Sequence, residues 1–296
     1  MPISVIMPVY NTKESDLRMA IESILNQTYK DFEFIILNDG STNNAEDVII
    51  SYRDPRIRYL KNIENLKLIK CSNILIEKAC YEYIARLDSD DWCELTRLEK
   101  QVKYLDENPD VGVLGTFYKI MPGDQFYPVP YKPDDTTLWV RYCGNCISNS
   151  AVMMRKSIIE KYKVRYNNGA LHAEDYKFWS DMSLHCKFAN YPEVLSYYRI
   201  SPDGITENNR QYQLKMVMTI VLDNIINDFA NDREFTYSLL VKFIKNESVT
   251  DDEFNYMHSF LIGIVNILQK RISPPFNSWV KNYILSILEF FVREKQ

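Results

Sequence analysis

Short apolar runs alternate with helix-spaced apolar positions along residues 1–117, and that rhythm leaves few architectures open. Residues 3–8 form an apolar run, followed by the turn Val9-Tyr10-Asn11-Thr12 and by Leu17, Ile21, Ile24 and Leu25 at helical spacing. A second run, 32–37, ends in Asn38-Asp39-Gly40-Ser41, a strong turn signal. Helical and strand-like segments then follow in turn at 48–52, 57–60, 68–79, 83–87, 95–105 and 111–117. The pattern predicts an α/β fold, a largely parallel sheet with helices on both faces. Ligands of such sheets bind outside the carboxyl ends of the strands. Residues 8–11, 39–41 and 88–91 all follow strands, so they are expected to converge on one crevice.

Beyond residue 117 the rhythm changes. Residues 118–150 are rich in Pro, Tyr and Asp and are expected to loop across the crevice. A strand is predicted at 151–154, a loop entering a helix at 172–181, and a further strand at 192–200. From Asn208 onwards Met216, Ile220, Ile225, Phe229, Leu239, Leu240, Phe243 and Ile244 continue in helical periodicity, and Ile284, Ile287, Leu288 and Phe291 close the chain. The expected division is an α/β domain over 1–205, with one half at 1–117 and a second at 118–205. A helical region fills 206–296.

Composition narrows the function classes. In 296 residues, 46% are hydrophobic and 25% charged, as in ordinary globular proteins. The net charge of −5 offers no basic stripe for nucleic acid. Six Cys without framework spacing suggest reduced thiols and a cytoplasmic location, and Cys143-Gly-Asn-Cys146 is a single CxxC that reads either as core thiols or as a zinc or redox pair. The amino terminus lacks the basic and apolar regions of a signal peptide, and apolar stretches such as 260–268 are too short to span a bilayer. Lys281, Arg293 and Lys295 accompany an apolar face in the last helix. Packing on the α/β domain is the default for that face; peripheral contact with a membrane surface and an oligomer contact are the alternatives.

The tetrad Asp88-Ser89-Asp90-Asp91 carries three carboxylates in four positions. Delivered at a strand end, Asp88 and Asp90 would point the same way while Ser89 and Asp91 face elsewhere. Clustered carboxylates raise one another's pKa unless a cation compensates them, and Mg²⁺ or Mn²⁺ prefers such oxygen ligands together with water and phosphates. The bland alternative is a solvated turn whose Asp91 caps a helix starting near Glu94.

Four motifs in order resemble the inverting family-2 nucleotide-sugar glycosyltransferases of GT-A fold: Val5-Ile6-Met7-Pro8-Val9-Tyr10-Asn11, Asn38-Asp39-Gly40-Ser41-Thr42, Ala85-Arg86-Leu87-Asp88-Ser89-Asp90-Asp91 and Ala173-Glu174-Asp175-Tyr176. They cover roughly the first 200 residues. Arg165-Tyr166-Asn167 before Glu174-Asp175-Tyr176-Lys177-Phe178-Trp179, then Tyr191-Pro192-Glu193, are similar to bacterial lipooligosaccharide β-1,3-N-acetylglucosaminyltransferases.

The resemblance implies a UDP-sugar donor, Mn²⁺ or Mg²⁺, and a saccharide acceptor, either free or lipid-linked. It assigns the metal to Asp90, with Asp88 beside it, and the nucleotide to Pro8, Val9, Tyr10 and Asn11, to Asp39 on the uracil N–H, and to Arg86, Asp88 and Ser89. Arg86 either contacts the nucleotide or holds Asp88 in a salt bridge, and Tyr10 either meets the base or packs in the core. Asp175 is implied as the general base, with Glu174 sharing the role or holding an acceptor hydroxyl. Within residues 145–150, where relatives carry an Asn…His pattern, Ser148 stands in the His position. His172 either reaches the site or is a loop histidine, and Trp179 is read as core rather than sugar platform. Two other classes stay open: nucleotidyl or phosphoryl transfer, which the missing Gly-rich Lys-Ser/Thr loop disfavours, and a non-catalytic nucleotide-sugar-binding module.

Overall fold

A computed structural model describes residues 1–123, 125–126, 128–200, 209–245 and 247–293. The amino-terminal alternation becomes β1 (Ile3–Val9), α1 (Glu14–Leu25), β2 (Phe32–Asp39), α2 (Ala45–Ser51), β3 (Ile57–Asn62), α3 (Lys67–Lys78) and β4 (Tyr83–Arg86). β1 pairs in parallel with both β2 and β4, and β2 pairs in parallel with β3. Every residue of β1 and β2 is buried, because helices cover both faces of a parallel sheet. Val9 lies opposite Asn38 and Ile6 opposite Arg86, so the loops leaving these strands emerge along one edge.

The chain continues through β5 (Trp92–Cys93), α4 (Arg97–Glu107), β6 (Val111–Met121), β7 (Gln125–Phe126), α5 (Pro133–Tyr142), β8 (Met153–Arg155), α6 (Lys156–Tyr162), α7 (Glu174–Met182) and β9 (Lys187–Arg199). The sheet runs β3-β2-β1-β4-β8-β6-β9-β5, with β7 beside β6. β8 is antiparallel to β4 and β6, so the sheet is mixed.

The expectation of a loop over 118–150 is corrected: β6 extends to Met121, and Pro133 opens the helix α5. Proline reads as a breaker in sequence, but at the first helical position it loses no hydrogen bond and its φ is already helical. β9 also begins earlier than expected, at Lys187, and α6 fills part of a stretch for which no element was predicted.

The remaining helices are α8 (Arg210–Phe229), α9 (Arg233–Ile244), α10 (Asp251–Arg271) and α11 (Phe276–Arg293). They close over α5 and α7. The Asn224 amide donates to the Arg141 carbonyl at 2.9 Å, and Arg141 pairs with Asp228 at 2.8 Å. Phe276 and Tyr283 pack their rings against Trp139. Phe276, Val280 and Ile284 of α11 are buried in the same core as Phe178 and Trp179, so the described part of that apolar face packs on the catalytic domain. The expected boundary at 205/206, Lys295, and the side chains of Phe243, Ile287, Leu288, Phe291 and Arg293 lie outside the described residues. No helix among the described residues is long and apolar enough to cross a membrane.

Candidate active site

Two loops floor the crevice. Asn11 adopts a left-handed φ of 51°, receives the Thr42 N–H on its Oδ1 at 2.8 Å and donates its own N–H to Ser41 Oγ at 3.0 Å, tying the loop after β1 to the loop after β2. Pro8 and Val9 are buried in β1, so what they present at this edge is main chain. Tyr10 is 48% exposed, which overturns the core-packing alternative.

Asp39 is buried at the end of β2. Its Oδ1 accepts from the Asn62 amide and the Leu66 N–H, both at 2.8 Å, and its Oδ2 from the Lys67 N–H at 3.0 Å. The carboxylate therefore anchors the start of α3, and Oδ2 retains room for a second donor. Gly40 follows with φ +67°, and a Cβ there would stand 2.7 Å from the Glu64 carbonyl carbon. Gly40→Ala meets both a left-handed penalty and a backbone clash, so we expect a loss of about 2–4 kcal/mol in a chemical-denaturation midpoint analysis. An unchanged midpoint would refute this account of the turn.

The tetrad sits just beyond β4. Asp91 N–H donates to the Asp88 carbonyl at 3.2 Å, closing a turn rather than extending the strand. The turn nevertheless produces the alternation expected of a strand: Ser89 and Asp91 are buried, Asp88 and Asp90 partly exposed. Arg86 is 1% exposed and donates to Asp88 Oδ1 from Nε at 3.0 Å and to Ser72 Oγ from Nη1 at 2.8 Å. Its geometry is that of the salt bridge. Asn149, with its amide oxygen turned inward, accepts from Arg86 Nε at 3.0 Å, while Ser150 Oγ accepts the Asp88 N–H at 3.1 Å. Ser89 Oγ is 2.5 Å from Thr12 Oγ1.

Burial, and then the Asp88 charge, push Asp90 up to about 6. Asp91 is also raised, by burial and then by its two acidic neighbours. Helix α4 starts at Arg97 behind Thr96, so Asp91 caps no helix; its Oδ1 instead accepts the Arg199 N–H at 2.8 Å. Arg199 also donates from Nε to the Asp90 carbonyl at 3.0 Å and lies over the Trp92 ring.

Among the described residues no three His, Cys, Asp or Glu side chains are grouped to hold a metal by themselves. The donor set fits a hard dication as a partial site: the under-compensated Asp90 carboxylate, and Asp88 beside it, would need phosphate oxygens to complete the shell.

Across the crevice, Asp175 lies in the first turn of α7. Its Oδ1 accepts the Tyr176 N–H at 2.7 Å and its Oδ2 accepts from Asn145 Nδ2 at 3.1 Å. Burial, reinforced by Glu174, raises Asp175 to about 6, and Arg86 and Asp88 both act on it electrostatically. Among the described residues, Glu174 Oε2 is buried without a hydrogen-bond partner. His172 stands edge-on to Tyr212 and is a loop residue packed against α8. Trp179 is fully buried, which agrees with the core reading. Cys143 and Cys146 are separate buried thiols whose pKa values burial raises, which removes the reactive-pair reading of the CxxC.

Arg199, Asn149, Ser150 and the buried Tyr166, stacked on Phe178 at 4.4 Å, also shape the site; Tyr166 and residues 149–150 fell within quoted motifs but, like Arg199, had no role of their own assigned from sequence. A basic residue ending the aromatic strand Tyr197-Tyr198-Arg199 is the one signal that pointed toward Arg199.

The mixed sheet with acidic residues along its carboxyl edge, and the family pattern over its first half, define an enzyme of GT-A fold acting on nucleotide sugars. The chain belongs to Glycosyl transferase family 2, whose pattern matches residues 4–163, more than half of its length. An uncharacterized glycosyltransferase of Haemophilus influenzae is 33% identical over 238 residues, covering 75% of this chain and 73% of its own. The Escherichia coli UDP-Glc:alpha-D-GlcNAc-diphosphoundecaprenol beta-1,3-glucosyltransferase WfgD is 26% identical over 236 residues, covering 77% and 88%. In fold, Staphylococcus aureus TarS 1-349, solved in complex with UDP-GlcNAc, matches with a TM-score of 0.65 at 16% identity, covering 100% of this chain and 90% of that one.

Proposed function

We propose that this enzyme is an inverting transferase that moves a sugar from a UDP-sugar to a hydroxyl of a saccharide acceptor. UDP-GlcNAc is the first-choice donor, from the motifs around Tyr166 and Glu174. UDP-glucose, the donor in WfgD's name, follows, then UDP-galactose. A cell-surface glycan on a lipid carrier, met from the cytoplasmic side, is the acceptor class proposed. The single observation that supports the reading is geometric: residues 145–150 bond Asp175 at one end, through Asn145 at 3.1 Å, and the Asp88 N–H at the other, through Ser150 at 3.1 Å, which brings the two carboxylates to one crevice.

In this reading Tyr10 and Asp39 take the uridine, Asp39 through the spare acceptor capacity of Oδ2. Arg86 holds Asp88 in place from below. Asp90, with Asp88 beside it, would hold a divalent ion, which would stabilise the negative charge developing on the leaving group. The acceptor oxygen attacks the anomeric carbon from the face opposite the diphosphate. As the new C–O bond forms, the bond to phosphate breaks and UDP departs with the electron pair. Asp175 accepts the hydroxyl proton, and Glu174, with its unpaired Oε2, holds a neighbouring acceptor hydroxyl.

The test is a panel of UDP-GlcNAc, UDP-glucose and UDP-galactose with Mn²⁺, with and without lactose-terminated acceptors. UDP release matched by glycoside mass is expected from one donor. Failure of every UDP-sugar to bind, or pyrophosphate release from a nucleoside triphosphate, would overturn the reading.

A further inference from the structure

We propose that Asn145 is a positioning residue for the general base, and that residues 145–150 form one strap serving both halves of the site. The inference rests on the assignment of Asp175 given above. Asn145 is exposed at the crevice, yet its amide is fixed: Oδ1 accepts the Ile147 N–H at 3.0 Å, so Nδ2 is the atom turned toward Asp175. Its backbone is fixed as well. Cys146 and Ile147 are buried, and the Cys146 carbonyl accepts from the Asn190 amide at 3.1 Å.

Each Asp175 oxygen thus carries one fixed donor, Tyr176 N–H on Oδ1 and Asn145 Nδ2–H on Oδ2. The two bonds set the rotation of the carboxylate and leave its remaining lone pairs to the crevice. The Asn145 bond also favours the charged form, against burial and the Glu174 charge. The other groups facing Asp175 are Arg86 from β4, Asp88 from the tetrad turn and Tyr166 from the loop before α7. Four residues along the same strap, Asn149 and Ser150 hold Arg86 and the Asp88 amide. The distance between base and leaving-group carboxylates is therefore set by one short piece of chain.

Asn145→Ala removes the donor at an exposed position, and Asn145→Asp removes it without changing side-chain size while adding a like charge. The experiment measures the acid limb of sugar transfer at saturating donor, with Asp175→Asn run alongside. A hydrogen bond to a charged group and one pKa unit are of similar energy, so the limb should move up by about one pH unit in Asn145→Ala. It should move further in Asn145→Asp, while KM for the UDP-sugar stays unchanged. A purely structural role would instead scale the rate equally at every pH. If Asp175→Asn is silent but neither Asn145 variant moves the limb, this inference alone fails. If Asp175→Asn retains full transfer, the assignment of the base fails first and this inference falls with it.

Discussion

Asp175→Asn should reduce sugar transfer by about 10²–10⁴-fold, the range that a positioned proton acceptor contributes. The amide matches the carboxylate in shape and can still accept the Tyr176 N–H, so the first turn of α7 should fold unchanged. What it lacks is a lone pair basic enough to take a proton from a hydroxyl. UDP-sugar affinity, measured by calorimetry, should stay within about twofold, because no donor contact is assigned to Asp175; affinity and rate falling together would point to a binding role. The wild-type profile carries the same information. Burial and Glu174 raise Asp175 to about 6, and the active form is the deprotonated one. The rate should therefore be full above that value and fall about tenfold per unit as pH drops below it. Asp90 titrates in the same range in the free enzyme, so the profile is best taken at saturating donor, with the diphosphate already bound.

Asp90→Asn should cost about 10²–10³-fold in turnover, since a metal at a phosphorylated leaving group contributes several kcal/mol and each 1.36 kcal/mol is tenfold. Asp90 is half-buried, and among the described residues it enters no salt bridge, whereas Asp88 pairs with Arg86 at 2.9 Å. Unlike the buried Asp91, it is partly exposed, so it is the under-compensated carboxylate that an external cation can reach. The variant should fold at least as well as the parent, because an amide removes a charge that burial and Asp88 disfavour. Mn²⁺ binding in the presence of UDP, read by electron paramagnetic resonance, should weaken in parallel with the rate. Full Mn²⁺ affinity in Asp90→Asn would remove the residue from the metal's surroundings.

The legibility of the sequence was uneven, for physical reasons. β1, β2 and β4 were visible because parallel strands buried on both faces read as unbroken apolar runs. α5 was missed because its opening proline looks identical in sequence to a loop proline, and only its place at the first helical position distinguishes the two. The tetrad's chemistry was legible in its carboxylates, but its shape was not: the strand ends at Arg86, and a turn, not a pleat, separates Asp88 and Asp90 from Ser89 and Asp91. Asp175 stood out as half of an acidic pair at a helix start. Its partner Asn145 did not, because 30 residues separate them and neither local pattern hints at the other.

The bond between Arg199 and Asp91 joins residues 108 positions apart. Asp91 is formed early, at the end of a stretch whose strands find their neighbours locally, whereas its partner arrives only with the final strand. During synthesis, at about 5–20 residues per second, the nascent chain spends several seconds with that carboxylate unmatched. A ribosome-bound fragment ending before residue 199 can already possess the nucleotide floor, with Asn11, Asp39 and Gly40 in register. It lacks the clamp that shapes the tetrad. The final shape of the tetrad therefore waits on the docking of β9.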